Sequence, residues 1–300
     1  MIALLTLLMA LIGGWLSQPA PHIPVQPEES VEVSEDQPRT FASAAELLDA
    51  LEQADANIRT FSSKIRYTRL FAIEGDLQTR LGDFYFRTDP PVSADGTGQP
   101  RQRRRWVAVE FHEFIVGNRR DRQERLWVFD GQWLVEKDAG ERQFVKRRMA
   151  RPGEVFDPLR VGEGPFFVPV GQKREDMELY FTASLREPSE GLSDEFDPAR
   201  DALLRQLASK LESCIQLELV PKPNMEQVED FELIRIWYDP QTLLPRASMA
   251  IDPLGDIDIF ELFAIDVNEQ KRALPEGVFS VAPPAPDEGY HVEIIDETQG

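Results

Sequence analysis

The chain has 300 residues and a net charge of -20, with 53 acidic against 33 basic side chains. So acidic a balance argues against general binding to nucleic acid or to an anionic membrane, both of which need a basic face. With 42% of residues hydrophobic and 29% charged, the chain can build a core of ordinary size.

In chain order, the first element is an uncharged apolar run from Ile2 to Leu16 (IALLTLLMALIGGWL). It is short for a membrane-spanning helix, which needs about 20 residues, and has the length of a signal-peptide core. Residues 1–20 therefore read as a signal peptide cleaved near Ser17 or Ala20, with an uncleaved anchor as the alternative. Residues 21–40 are rich in Pro, Glu and Ser and read as a disordered acidic linker. His22 is incidental to it. Residues 41–295 are expected to form one folded domain, with insertions near 88–104 and 187–213.

Ser43 to Thr60 reads as a helix. Ser43 and Glu46 have capping-box spacing, and Leu47, Leu48, Leu51, Ala54 and Ile58 recur at three- and four-residue steps. The period then switches to two. Ile65 and Tyr67 alternate, as do Phe84 and Phe86 after a turn expected at Gly82, and Val107, Val109 and Phe111. Arg125–Phe129 and Gln132–Glu136 flank Asp130-Gly131, a hairpin signal. Further strands are expected around Phe144, Met177–Ala183, Cys214–Val220, Phe231–Tyr238, Pro245–Ile251 and Ile257–Val267. The count is roughly ten or eleven, separated by turns, so the sheet should be antiparallel. Asn118–Gln123 reads as a polar loop. Pro198–Leu211 reads as a helix with Ala202, Leu203, Leu207 and Leu211 on one side, and Asp157–Gly171 as a short apolar cover. The fold class is thus mainly β, an incomplete antiparallel barrel with an N-terminal helix and short covering helices. Periodicity alone leaves open whether its concave side is a ligand cavity or a filled core.

Catalytic groups are sparse. The chain has no G-x-S-x-G, H-E-x-x-H, Walker or G-x-G-x-x-G motif. His112 and Glu110 share a strand face, but two groups on one strand do not hold a metal without distant partners. The Asp-rich turns lack calcium-loop spacing. The one cysteine, Cys214, excludes an intramolecular disulfide and reads as a small buried apolar residue. No enzyme activity, cofactor or metal is expected. Arginines crowd the stretch from Arg101 to Arg151, a solvated sheet face or a docking patch for an acidic partner or lipid head group.

Several pieces in order carry a family resemblance: LLDALEQADANIRTFSSKIRYTR, GDFYFR, LWVFDGQWLVEKDAGERQFVKRRM, GPFF, and a closing block from Phe231 that ends VNEQKRALPEGVFSVAPP. From about Ala45 to Val281 the chain resembles the LolA-like lipoprotein carriers. The resemblance implies a half-barrel whose apolar cavity takes acyl chains of lipoproteins or other lipids from an inner-membrane donor complex. The cargo then crosses the periplasm to an outer-membrane acceptor. A monomer is expected, with no nucleic-acid partner. Cavity candidates are Leu47, Leu51, Ile58, Ile65, Tyr67, Phe84, Phe86, Trp127, Phe129, Leu134, Phe144, Phe166 and Phe167. In that family an arginine ending the strand that matches GDFYFR latches the lid helices. Arg87 is the nearest match, although the family has Arg directly before Pro and this chain reads Arg87-Thr88-Asp89-Pro90. Val278–Pro284 is expected to close the far wall. A lipid-binding sensor on the same half-barrel is the alternative to a shuttle.

Overall fold

A computed structural model of the chain describes residues 38–89, 104–151, 154, 156, 157, 159, 173–193, 198–296 and 298. Residues 1–37, most of the 88–104 insertion, and both Phe166 and Phe167 lie outside the described residues.

Helix α1 spans Ala44–Asp55. Ser43 Oγ accepts from the Glu46 amide at 3.3 Å, and the Glu46 carboxylate accepts from the Ala42 amide at 2.8 Å, so the capping exchange satisfies helix-end donors. The helix stops short of the expected Thr60 because a distant residue claims the chain there. The side chain of Asn268 accepts from the amides of Arg59 (2.7 Å) and Thr60 (3.3 Å) and donates to the Asn57 carbonyl (3.0 Å). This clamp feeds the chain into the first strand.

The strands are β1 Thr60–Leu70, β2 Leu77–Thr88, β3 Arg105–Val116, β4 Arg119–Phe129, β5 Trp133–Asp138, β6 Gln143–Arg148, β7 Phe181–Arg186, β8 Ile215–Pro221, β9 Leu233–Tyr238, β10 Pro245–Ile251, β11 Ile257–Val267 and β12 His291–Asp296. Helices α2 (Arg174–Tyr180) and α3 (Pro198–Leu211) complete the regular elements used below. One sheet holds all twelve strands in the order β12-β6-β5-β4-β3-β2-β1-β11-β10-β9-β8-β7. Two meanders, β1–β6 and β7–β11, join where β1 pairs with β11. The edge strands β12 and β7 do not pair with each other, so the barrel is open, as the sequence implies.

Four details differ from the sequence expectation. The twelfth strand, β12, pairs parallel to β6, with Val292 and Ile294 exposed, so it lacks the burial rhythm that marks a half-buried strand. Met177–Ala183 is not one strand: helix α2 runs to Tyr180 and β7 starts at Phe181. Arg174 holds α2 by ion pairs to Glu178 (2.9 Å) and to Asp49 of α1 (2.7 Å). Asn118–Gln123 is not a loop, since Gly117 (φ 57°) makes a tight turn and β4 begins at Arg119. Gly82 is not a turn but lies inside β2.

The apolar side chains fall into four clusters, two on each face of the sheet. Leu47, Leu48 and Leu51 of α1 and Met177 of α2 pack on Leu217, Leu219, Ile234, Ile236 and Tyr238. On the other face of the sheet, Leu204, Leu207 and Leu211 of α3 pack near Trp237 of β9, Met249 of β10 and Ile259 of β11. Leu203 is partly buried there, whereas Ala202 is exposed. Val278 of the C-terminal segment, with Leu274, Phe279 and Val281, packs on Tyr85, Ala108, Val128, Val135 and Phe144. Val278–Pro284 therefore does not close the far wall; it crosses behind β2–β6. The fourth cluster lies on the front of β1–β5 and β11.

Candidate functional site

This fourth cluster is a wall of apolar side chains. Strand alternation brings Phe61, Ile65 and Tyr67 of β1 to one face, with Phe84 and Phe86 of β2 and Val107, Val109 and Phe111 of β3. Phe129, Leu134, Phe260 and Leu262 extend it across β4, β5 and β11, all buried. Trp127 packs against it, half-buried. The rings interlock: Tyr67 stacks on Phe260 at 4.6 Å, and Phe111 meets Trp127 edge-on at 5.2 Å. From outside the strands, the described side chains packed on the wall are Ile58, Met149, Phe156, Leu159 and Leu244. None of these belongs to a helix.

At one end the wall turns polar. Arg69, Arg80 and Arg125 continue the same face, since Arg80 is the cross-strand partner of Tyr67 and Arg125 that of Phe111. The Tyr67 hydroxyl donates to Asp258 at 2.7 Å. Burial, then Asp258, pushes the Tyr67 phenol above its ordinary range. Burial also raises the Asp258 carboxyl, against the pull of the Tyr67 hydrogen bond and of Arg69.

The candidate residues separate. Ile58, Ile65, Tyr67, Phe84, Phe86, Phe129 and Leu134 lie in the wall, with Trp127 beside them. Leu47 and Leu51 lie under α1 in a different cluster, over β8 and β9. Phe144 is on the opposite face, against Tyr85 and Val128, because the β5–β6 register pairs it with Lys137 and leaves Leu134 opposite Arg147. Arg87 is also on the opposite face. Its guanidinium lies 4.5 Å from the Trp106 ring and 5.0 Å from the Phe279 ring, a cation–π sandwich that ties down the C-terminal segment. Phe61, Phe111, Phe260 and Leu262 join the wall in addition to the cavity candidates of the sequence. The alternation of β3 marks Phe111, but Phe260 and Leu262 depend on the pairing of β1 with β11, which a sequence does not display.

His112 faces away from the wall. Its Nε2 lies 2.9 Å from Asp83, which also pairs with Lys64 at 2.7 Å. A polar cleft of about 580 Å³ adjoins it, lined by His112, Glu113, Arg120, Asp121, Arg122 and Glu124. Among the described residues no group of three or more His, Cys, Asp or Glu is placed to hold a metal ion. No helix among them is long and apolar enough to cross a membrane.

No family model matches the sequence, and no curated protein does. Solved structures are similar. An uncharacterized conserved protein from Thermus thermophilus is 10% identical, with a TM-score of 0.41 over 85% of this chain and 99% of its own. The LolA superfamily protein NE2245 from Nitrosomonas europaea is 9% identical, with a TM-score of 0.30 over 80% of this chain and 98% of its own. In the complex of MucA and MucB from Pseudomonas aeruginosa, the matched chain is 15% identical, with a TM-score of 0.33 over 80% of this chain and 60% of its own.

Proposed function

We propose that this protein is a periplasmic carrier that holds acyl chains of lipoproteins or other lipids along the apolar wall and hands them toward the outer membrane. The observation that supports it is the wall itself. Six strands present interlocking aromatic and aliphatic side chains on one face. Helices cover both faces of β9. Each methylene taken from water onto such a surface gains about 0.8 kcal/mol, so a chain of a dozen carbons has ample driving force. The reading needs no reaction by the carrier. It fits the export-like run Ile2–Leu16, and the donor and acceptor membranes would be its partners.

A sensor that binds a lipidated ligand to regulate a partner is favoured by one feature: Ile2–Leu16 lacks a clean A-x-A cleavage signal and would then stay as an anchor. Solvent extraction of the purified protein followed by mass spectrometry should release acyl chains under either reading; protein free of them and unable to take up a fluorescent fatty acid refutes both. Transfer of a fluorescent lipoprotein from donor to acceptor vesicles is expected of a shuttle only.

A further inference from the structure

The apolar wall ends in three arginines, and their partners are unequal. Arg69 pairs with Asp256 at 3.2 Å and with Asp258 at 3.7 Å. Arg125 reaches Asp138 at 3.9 Å, too long for a hydrogen bond, and its guanidinium lies 5.8 Å from the Trp127 ring. Arg80 has no carboxylate within ion-pair distance among the described residues. Its Nε donates to the neutral Gln123 Oε1 at 3.2 Å, and its guanidinium lies 4.5 Å from the Phe114 ring and 6.0 Å from the Tyr67 ring. Its two terminal amino groups donate to no described residue.

A half-buried guanidinium without a counter-charge is costly, and two like charges beside it add to the cost. Burial first, then Arg125, pulls the Arg80 guanidinium below its ordinary value. A guanidinium whose terminal amino groups are free offers parallel N–H donors that match the two oxygens of a carboxylate or phosphate. The ring faces of Phe114 and Tyr67 hold the fork in place at the point where apolar surface gives way to polar.

Resting on the acyl-chain reading above, we infer that this end of the wall is a head-group subsite. Arg80, flanked by Arg69 and Arg125, binds the anionic head of an amphiphile whose tail lies along Tyr67, Phe111, Trp127 and Phe260. The ligand class is a single-headed lipid ending in a carboxylate or phosphate. The bond is non-covalent, and Asp258 and Asp138 do not compete for Arg80 because each already faces its own arginine.

The test is calorimetric titration of the full chain with dodecanoate, dodecyl phosphate, 1-dodecanol and inorganic phosphate, at low and at physiological salt. Both anionic amphiphiles are expected to bind about tenfold or more tightly than the alcohol, the range of a charge-assisted hydrogen-bond pair. Arg80→Gln should erase that difference and leave the alcohol within twofold. Arg119→Gln, on the exposed turn of β4, should change nothing. Ligand-free Arg80→Gln should melt no lower than the wild type, since it removes an unpaired charge; a role confined to packing predicts a drop. Equal binding of all three amphiphiles by the wild type overturns the subsite and leaves the carrier reading intact. Failure of all three to bind sinks the carrier reading itself. Inorganic phosphate binding as tightly as dodecyl phosphate would make this a free-anion site and overturn the lipid head group.

Discussion

Replacing Gly82 with alanine tests the geometry that lets the wall pass from apolar to charged. Gly82 sits in β2 between Phe84 and Arg80, opposite Ile65 on one side and Phe111 on the other. The register between β2 and β3 slips at this point, and the bulge in β3 turns Phe114 toward Arg80 while His112 faces away. A methyl group on Gly82 would lie 2.0 Å from the carbonyl oxygen of Glu110, 2.8 Å from its carbonyl carbon and 2.9 Å from Phe111 Cα. All three are backbone atoms, so no rotamer change relieves the clash, and β2 and β3 must move apart. Overpacking costs about 1–3 kcal/mol, and a clash with backbone puts this case near the top of that range. At about 2–4 °C per kcal/mol for a domain of this size, Gly82→Ala should lower the melting temperature by about 6–12 °C. The control is Gly117→Ala. There φ is +57° but nothing lies within 4 Å, so only the left-handed backbone is strained, at about 1 kcal/mol and a fall of about 2–4 °C. Circular dichroism reads both: the far-UV signal for the melting point, the near-UV signal for the Phe111–Trp127 and Tyr67–Phe260 ring pairs, which only Gly82→Ala should disturb. A Gly82→Ala variant that melts no lower than Gly117→Ala refutes the close approach.

Arg87→Ala should cost about 1–2 kcal/mol, at about 0.5–1 kcal/mol for each of the two cation–π interactions, measured by urea unfolding, and should leave acyl-chain retention unchanged. A variant of unchanged stability that loses its lipid would point to the latch role instead. The Asp256 carboxyl is held below its ordinary range, first by the Ala72 amide donating at 2.8 Å, then by Arg69 against the opposing effect of burial. The unfolded chain takes up that proton first as pH falls, so the stability Asp256 contributes is complete above the usual carboxylate range and is lost as pH drops through its lowered folded value. Asp256→Asn should flatten that acid limb in urea midpoints taken from neutral to acid pH; an unchanged slope counts against the assignment. Cys214 is buried, and burial pushes its thiol up to about 11, against a smaller pull from Arg246. A thiol reagent at pH 8 should react slowly with the native chain and at once in denaturant, and prompt reaction in the native state would contradict the packing around α3.

What was legible from the sequence is local. Ser43 and Glu46 mark the start of α1 because the capping bonds join residues three and four apart. Asp130 marks the β4–β5 turn because its own carboxylate accepts from the amides of Gln132 (2.9 Å) and Trp133 (2.8 Å). What was not legible is set at a distance. The end of α1 depends on Asn268, and the stacking of Tyr67 depends on Phe260, which lies in the last meander. Alternation fixes which residues share a face but not which face is which, and Phe144 misled for that reason. Parity, applied strictly, nevertheless reaches further than composition. Once Phe84 and Phe86 are on the wall, Arg87 must be behind it, and Arg80, six residues before Phe86, must be in front. Exposure divides the arginine-rich stretch: Arg119, Arg120 and Arg122 are exposed and paired with neighbouring carboxylates, whereas Arg125 shares the face of Trp127 and Phe129. A basic run that the sequence leaves between a solvated face and a docking patch thus contributes one of the three cations at the end of an apolar wall. There, a charge is expensive unless something anionic is meant to meet it.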